Sequence, residues 1–266
     1  MSKIRKALKS VLPQAVVDFY RDNFSKSTKW VGNFSSWEEA VNNSTGYDSE
    51  KIISRVFKST LEVVSGRAKY EQDSILFYEE EFDTDLINLV SMVSKKNKKV
   101  TVLDYGGALG STYFKNKKFL SKIKGLNWCV VEQEKFVELG KANFADKTLQ
   151  FYPSLDSFFE KKSPNIVLFS SVLQYLEKPF EVINEVISKK PLFILVIRTP
   201  FTQNQSRICI QKVNPDIYPA SYPCHIFNEA GFIKAFAKKY SVISSSINND
   251  YSGKDISFES FTFRRV

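Results

Sequence analysis

The 266-residue chain predicts an α/β fold: a doubly wound, Rossmann-like parallel sheet of five strands, completed by a terminal antiparallel hairpin and preceded by an α-helical region. Three observations carry that expectation. From residue 100 onward short apolar strand patterns alternate with helical ones; one of those strands ends in an acid and runs into a glycine turn; and the tail holds two strand patterns on either side of a polar turn. Residues 1–99 read as helices with no convincing strand, which divides the chain into an N-terminal helical cap, 1–99, and a cofactor-binding domain, 100–266.

In the cap, Ile4, Leu8, Val11, Leu12, Val16 and Phe19 share one helical face interrupted by Pro13, a face expected to pack on the rest of the protein rather than on a membrane surface. SSWEEAVNN opens on a capping-box pattern, Ser35 to Glu38 or Ser36 to Glu39. DSEKIISRVFKSTLEVV repeats Ile52, Ile53, Val56, Phe57, Leu61 and Val64 at helical spacing, and 83–94 is a third such stretch. Strands are expected at 100–104, 127–132, 148–152, 165–170 and 192–198, with helices at 112–123, 133–143, 155–161 and 179–189. Such an alternation closes into a parallel sheet through crossover helices. In the tail, YSVISSSIN and ISFESFTFRR flank a turn at 248–254, and the second alternates Phe258, Phe261 and Phe263 with polar residues. An insertion at 199–227 is too long for a simple connection.

Lysine and arginine outnumber acids 38 to 29, a formal charge of +9 that attracts anions without choosing among them. The lysines fall in scattered pairs near helix ends, Lys95-Lys96 and Lys117-Lys118 among them, where they offset the helix dipole; no nucleic-acid partner is expected. Cys129, Cys209 and Cys224 form no C-x-x-C pair, so neither a disulfide framework nor a zinc site is indicated, and no metal is expected. No run reaches the roughly 18 apolar residues of a membrane span, and the N-terminus lacks a secretory core; the expectation is a cytoplasmic protein without stable membrane insertion. Nothing in the sequence specifies an oligomeric state.

The stretch VTVLDYGGALGSTYF carries the most chemistry. Val100, Val102 and Leu103 form a buried strand with Asp104 at its carboxyl end, and Gly106, Gly107 and Gly110 let the backbone turn and approach a ligand. The next strand, NWCVVE, ends in Glu132, near the roughly 20-residue spacing at which a carboxylate accepts from ribose hydroxyls. A nucleotide-shaped cofactor fits this layout. A dinucleotide needs its pyrophosphate on a G-x-G-x-x-G turn, whereas here an acid stands two residues before the first glycine. That carboxylate would repel a pyrophosphate but can pair with the amino group of S-adenosyl-L-methionine (SAM), the expected cofactor, with S-adenosyl-L-homocysteine (SAH) as product.

The chain resembles the class I SAM-dependent methyltransferases, and within them a bacterial family associated with capsule and O-antigen polysaccharide biosynthesis. WVGNFSSWEEA, GYDSEKI, LDYGGALGSTYF, WCVVEQEKFVELG, LQFYPS, LFSSVLQYLEKP, VIRTPF and IYPASYP carry the resemblance. It implies Asp104, Gly106 and Gly110 around the methionine part of the cofactor, Glu132 on the ribose, and Ser170, Ser171 and Gln174 beside the reactive methyl; Gly107 and Gln133 are also expected to bind the cofactor. The middle glycine of the class's D-x-G-x-G-x-G turn is Ala108 here.

Methyl transfer from a sulfonium requires alignment of an acceptor and, for a hydroxyl, removal of its proton. His225, the only histidine, is the first candidate base, with Asp216, Glu177 and Asp73 in reserve. Arg198 in VIRTPF either binds a substrate anion through its planar fork or pairs with an acid to hold the insertion. Tyr218, Ser221 and Tyr222 in the insertion, and Tyr70, Glu71 and Asp73 in GRAKYEQDSILF, are expected on the acceptor side. The expected function is O-methylation of a sugar hydroxyl, the small-molecule substrate being a nucleotide sugar for surface polysaccharide. The alternatives are an RNA methyltransferase and a non-catalytic SAM-binding assembly partner.

Overall fold

The computed structural model describes residues 29–46, 49–213, 220–253 and 255–266; the amphipathic face expected within 4–19 lies outside them. Strands β4 (Val100–Tyr105), β5 (Leu126–Val131), β6 (Leu149–Tyr152), β7 (Ile166–Ser170) and β8 (Phe193–Thr202) pair in parallel in the order β6-β5-β4-β7-β8. β12 (Ile256–Arg265) runs antiparallel beside β8, and β11 (Tyr240–Gly253) antiparallel beside β12. The five parallel strands and the terminal hairpin stand as the sequence predicts.

Strand periodicity explains why the sheet is buried on both faces. Val102 and Trp128 enter one core with Leu86, Val90 and Phe136, while their neighbours Leu103 and Cys129 enter the other with Phe158, Ile183 and Phe232. Helices α3 (Thr84–Lys96), α4 (Ser111–Leu120), α5 (Glu134–Asn143), α6 (Leu155–Phe159), α7 (Pro179–Ser188) and α8 (Glu229–Phe236) cover the two faces. β4 has β5 on one side and β7 on the other, so the chain reverses direction across the sheet there. A crevice opens at the carboxyl ends of strands at such a reversal.

Two expectations need correction. The N-terminal region is not free of strands: β1 (Lys29–Phe34) precedes helices α1 (Trp37–Asn42) and α2 (Ser49–Val64), and β2 (Tyr70–Gln72) and β3 (Ile75–Phe77) follow them. The insertion at 199–227 is not a loop throughout. β8 continues to Thr202, and β9 (Arg207–Lys212) pairs antiparallel with β10 (Ser221–Asn228). β1 adds to the outer edge of β9, and β10 joins β8 through Phe227 beside Phe201 and Asn228 beside Thr202. One antiparallel wall is thus built from residues far apart in sequence. α1 starts as expected, with the Ser36 hydroxyl accepting from the Glu39 backbone N–H at 3.1 Å and Glu39 accepting from the Ser35 N–H at 2.8 Å.

Candidate active site

A cavity of about 1090 Å³ occupies the crevice, bounded by the turn after β4, the ends of β5, β7 and β8, the antiparallel wall and the β2–β3 hairpin. Single-ligand pockets run to about 1,000 Å³, so this one has room for a nucleotide-sized molecule and a second small one.

The turn is built for close approach. Gly106 takes φ +72°, and a Cβ there would lie 2.4 Å from Val172 Cγ2; a Cβ on Gly107 would lie 2.5 Å from the Asp104 carboxylate. Asp104 therefore sits directly beneath the turn, fully buried, and does not itself line the cavity. Its Oδ2 accepts from Trp128 Nε1 at 3.0 Å, while Oδ1 has no hydrogen-bond partner. Burial pushes its pKa from 3.8 to about 7; the Trp128 bond opposes that rise, and the Glu132 and Asp83 charges add to it. Glu132, just past β5, does face the cavity. Its carboxylate accepts from the Gln133 N–H at 2.6 Å, and burial raises its pKa against backbone N–H groups of Gln133 and Ala108 that favour the charged form.

Gly106, Gly107, Gln133, Ser170 and Ser171 line the cavity beside Glu132. Gly110 and Gln174 lie behind it. Gly110 is the N-cap of α4, facing Leu149, and Gln174 is fully buried with its Nε2 donating to Ser171 Oγ at 3.0 Å, which holds that hydroxyl at the surface.

The rest of the lining is rich in polar groups. Gln72 pairs with Ile75, leaving Asp73 and Ser74 as a two-residue turn with φ of +53° and +64°, the geometry of a tight hairpin. Arg198 Nη2 donates to Asp73 Oδ2 at 2.8 Å, a pairing with an acid of the β2–β3 hairpin rather than of the insertion, and it ties β8 to that hairpin. Glu71 is buried in the wall and accepts from the Ser74 N–H at 3.0 Å; burial raises its pKa, with Ser111 and Arg198 favouring the charge. Lys115 Nζ bridges Glu81 and Asp83, 3.0 Å from each. Tyr222 lines the wall edge-on to Tyr175, whose hydroxyl donates to Gln211 Oε1 at 2.9 Å.

Several expected acceptor-side residues are elsewhere. His225 does not line the cavity, although its neighbours Tyr222, Pro223 and Trp37 do. Its ring is stacked between Trp37 (4.8 Å) and Phe227 (5.5 Å), Nε2 lies 3.4 Å from the Glu177 carbonyl, and burial lowers its pKa. Glu177 is likewise outside the lining. Ser221 accepts from the Thr45 N–H at 2.9 Å, behind the wall, and Tyr70 stacks on Phe77 with its hydroxyl donating to Glu81 at 2.8 Å, a support for the hairpin. Asp216 and Tyr218 lie outside the described residues.

Neither a protein-family model nor a curated protein matches the chain. Solved structures do. The N-terminal domain of EvdMO1, crystallised with SAH and D-fucose, is 11% identical over 83% of this chain and 98% of its own, with a TM-score of 0.50; the same domain with SAH bound gives 0.51. The [4+2]-cyclase SpnF is 10% identical over 81% of this chain and 94% of its own, at 0.51. These likenesses show the fold.

The functional case rests on the cavity. Among the described residues six non-glycine residues have positive φ, and five of them line it: Asp73, Ser74, Ala108, Ser171 and Arg198. Strained backbone of this kind clusters at binding and catalytic sites. Sequence reasoning missed Trp30, Trp37, Tyr175 and Gln211 in the wall. A signal existed for the tryptophans: two of the three in the chain fall in WVGNFSSW, in a region otherwise read as amphipathic helix.

Proposed function

We propose that the protein is a SAM-dependent methyltransferase that methylates a hydroxyl of a sugar. The observation that carries the reading is the glycine turn at the sheet reversal, with a buried carboxylate beneath it and a second, Glu132, on the cavity floor. That pair opposes a pyrophosphate and suits a cofactor bearing a cationic amino group, a sulfonium and a ribose. The strand order β6-β5-β4-β7-β8-β12-β11, with its last pair antiparallel, is that of the class I methyltransferases the sequence resembles. EvdMO1, crystallised with SAH and D-fucose, supports a sugar acceptor; SpnF, a cyclase on a similar fold, shows that turnover has to decide the reaction.

SAM supplies a methyl group already activated by the sulfonium. Glu132 takes the ribose hydroxyls, the backbone of 106–108 supports the amino-acid end, and Ser170 and Ser171 border the methyl. The antiparallel wall and the β2–β3 hairpin orient the acceptor and exclude water, the larger part of the task. With His225 outside the lining, the hydroxyl proton falls to the hairpin carboxylates, Glu71 and Asp73. The nucleotide-linked form of the sugar, the role in surface polysaccharide and a cytoplasmic location rest on the resemblance of stretches such as LDYGGALGSTYF and LFSSVLQYLEKP. No helix among the described residues is long and apolar enough to cross a membrane. Calorimetry with SAM, followed by a mass-spectrometric screen of free and nucleotide-linked sugars for methyl gain, tests the proposal. Absence of SAM binding, or SAM binding without methylation of any sugar, refutes it.

A further inference from the structure

The formal charge of +9 is not spread evenly over the molecule. Because β4 to β8 run parallel, their amino ends meet at one edge of the sheet, opposite the cavity. The segments that enter them are KKNKK (95–99), SKIKG (121–125), ADKT (145–148), EKKSPN (160–165) and SKKPL (188–192). AKK (237–239) leads into β11, and RRV (264–266) closes β12 at the same edge, where Arg264 pairs with Phe193 and Arg265 with Tyr240. Together the seven segments hold fifteen lysines and arginines and two acids, a net +13, so the rest of the chain is net acidic. Fourteen of the fifteen cations are exposed; the half-buried one, Lys162, is bonded to Gln150 and Asn127. Among the described residues none of the fifteen makes an ion pair.

The fold explains part of this. A parallel sheet turns the carboxyl ends of its crossover helices to the same edge, and cations there offset the helix dipoles, as Lys95 and Lys96 do in the last turn of α3. Dipole compensation does not account for Arg264 and Arg265, which end a strand, or for Lys98 and Lys99, which follow the extended residue Asn97. Like charges gathered this way repel one another, and no ion pair within the fold offsets that repulsion.

The edge itself indicates the kind of anion it fits. From β6 to β11 it crosses seven strands, roughly 29 Å, so its field is broad. Thirteen of its fifteen cations are lysines, hydrated point charges on long stems, rather than the planar forks that grip single phosphates. The helices present their carboxyl ends, whose carbonyls repel a phosphate at contact distance. Nucleic-acid sites instead align cations along a groove beside stacking rings. The apolar side chains exposed near this edge are Phe119, Val242 and Ile243; two of the three are aliphatic, with no use in base stacking but a natural place among lipid headgroups.

We propose that the amino edge of the sheet docks the protein on an anionic phospholipid surface, peripherally and without insertion, and leaves the cavity at the opposite edge facing solvent. Many lysines each add a small attraction to the lipid surface potential, which falls away within about one Debye length. The inference is independent of the reaction catalysed.

The test sediments the full chain with vesicles of phosphatidylcholine alone and with about 30% phosphatidylserine, in about 0.15 M salt. Binding to the mixed vesicles should be at least 10-fold stronger and should fall at least 10-fold at about 0.5 M salt. Neutralising Lys98, Lys99, Arg264 and Arg265 to Gln should weaken it at least 10-fold. Neutralising Lys69, Lys135, Lys178 and Lys212 to Gln, an equal change in net charge away from this edge, should leave it within about 3-fold. Acetylation of the wild type with and without vesicles locates the contact even if a variant does not fold: lysines of 95–99 and 188–192 should be protected and Lys178 should not. No preference for the anionic vesicles, equal losses in the two variants, or protection of Lys178 in place of the edge lysines overturns the proposal. So does tighter binding, in the same buffer, to a single-stranded RNA or a DNA duplex, which would reassign the edge to nucleic acid.

Discussion

Replacing Asp104 by Asn separates what the residue costs the fold from what it gives the site. The side chain is fully buried beneath Gly107, with one oxygen bonded to Trp128 and the other unpartnered, and its pKa stands at about 7 against an ordinary 3.8. At 1.36 kcal/mol per pKa unit the ionised form burdens the folded state by on the order of 4 kcal/mol. Because the folded protein holds this proton more tightly than the unfolded chain, the cost is absent below about pH 3.8, grows as pH rises, and is complete above about 7. Asn keeps an acceptor for Trp128 but leaves an amide where Oδ1 was, a loss of about 1–3 kcal/mol. The variant should therefore be more stable than the wild type by roughly 1–3 kcal/mol at pH 8, with the advantage shrinking to nothing or reversing near pH 4. Urea unfolding of both proteins at pH 4, 5, 6, 7 and 8 reads the difference directly. SAM should bind the variant more weakly, and in the wild type its affinity should rise as pH climbs through 7, since the cofactor's positive charge favours the ionised carboxylate. A stability difference that does not change with pH, or a variant less stable at pH 8, refutes the account of Asp104 as a charge held unpaired for a cation.

Glu132→Gln should weaken SAM by about 1–3 kcal/mol through loss of the charged acceptor at the ribose; calorimetry that returns the wild-type affinity removes Glu132 from the cofactor site. Arg198→Ala breaks the 2.8 Å pair to Asp73 and frees the hairpin, so KM for the acceptor should rise several-fold while the Kd for SAM stays put; equal losses in both would place Arg198 with the cofactor. His225→Ala should cost about 1 kcal/mol of stability from its stacking on Trp37 and leave turnover, including its acid limb, close to normal; a 100-fold or greater fall in kcat would restore the histidine as the base.

The parallel sheet was legible because its strands are apolar on both faces: Val100, Val102 and Leu103 announce β4 whatever surrounds them. β1 and β9 gave no such signal. KWVGNF alternates poorly and is half exposed, and it becomes a strand only because β9 offers it an edge. β2 and β3, three residues each, are too short for any periodicity to show. The same distinction runs through the site. Residue types at the turn and at the end of β5 pointed to the crevice where the cavity lies, but depth is not written in a motif: Asp104, Gly110 and Gln174 lie one layer behind the lining. For His225 the residue type pointed to catalysis, whereas its ring is stacked between Trp37 and Phe227 just outside the lining, packing that no local pattern announces.

What ties the two halves of the site together is where the backbone is under strain. Holding a residue with a Cβ in the left-handed region costs on the order of 1–2 kcal/mol, so Asp73, Ser74, Ala108, Ser171 and Arg198 together represent a sizeable part of the 5–15 kcal/mol by which domains of this kind are stable. Each strained residue has a neighbour that makes use of it. Ala108 brings its N–H to Glu132, Ser171 offers its hydroxyl with Gln174 behind it, and Asp73 pairs directly with Arg198. Ala108 and Ser171 follow the parallel strands β4 and β7, Arg198 stands within β8 one residue past its pairing with β7, and the other two form the tip of the β2–β3 hairpin. The packed sheet can impose such conformations because its two cores are closed on both faces, whereas the hairpin, only three residues to a strand, cannot hold its own tip. The Arg198–Asp73 pair supplies that restraint from the sheet. If the proposed function holds, restraint of this kind serves the larger part of the task in methyl transfer, which is alignment rather than bond activation.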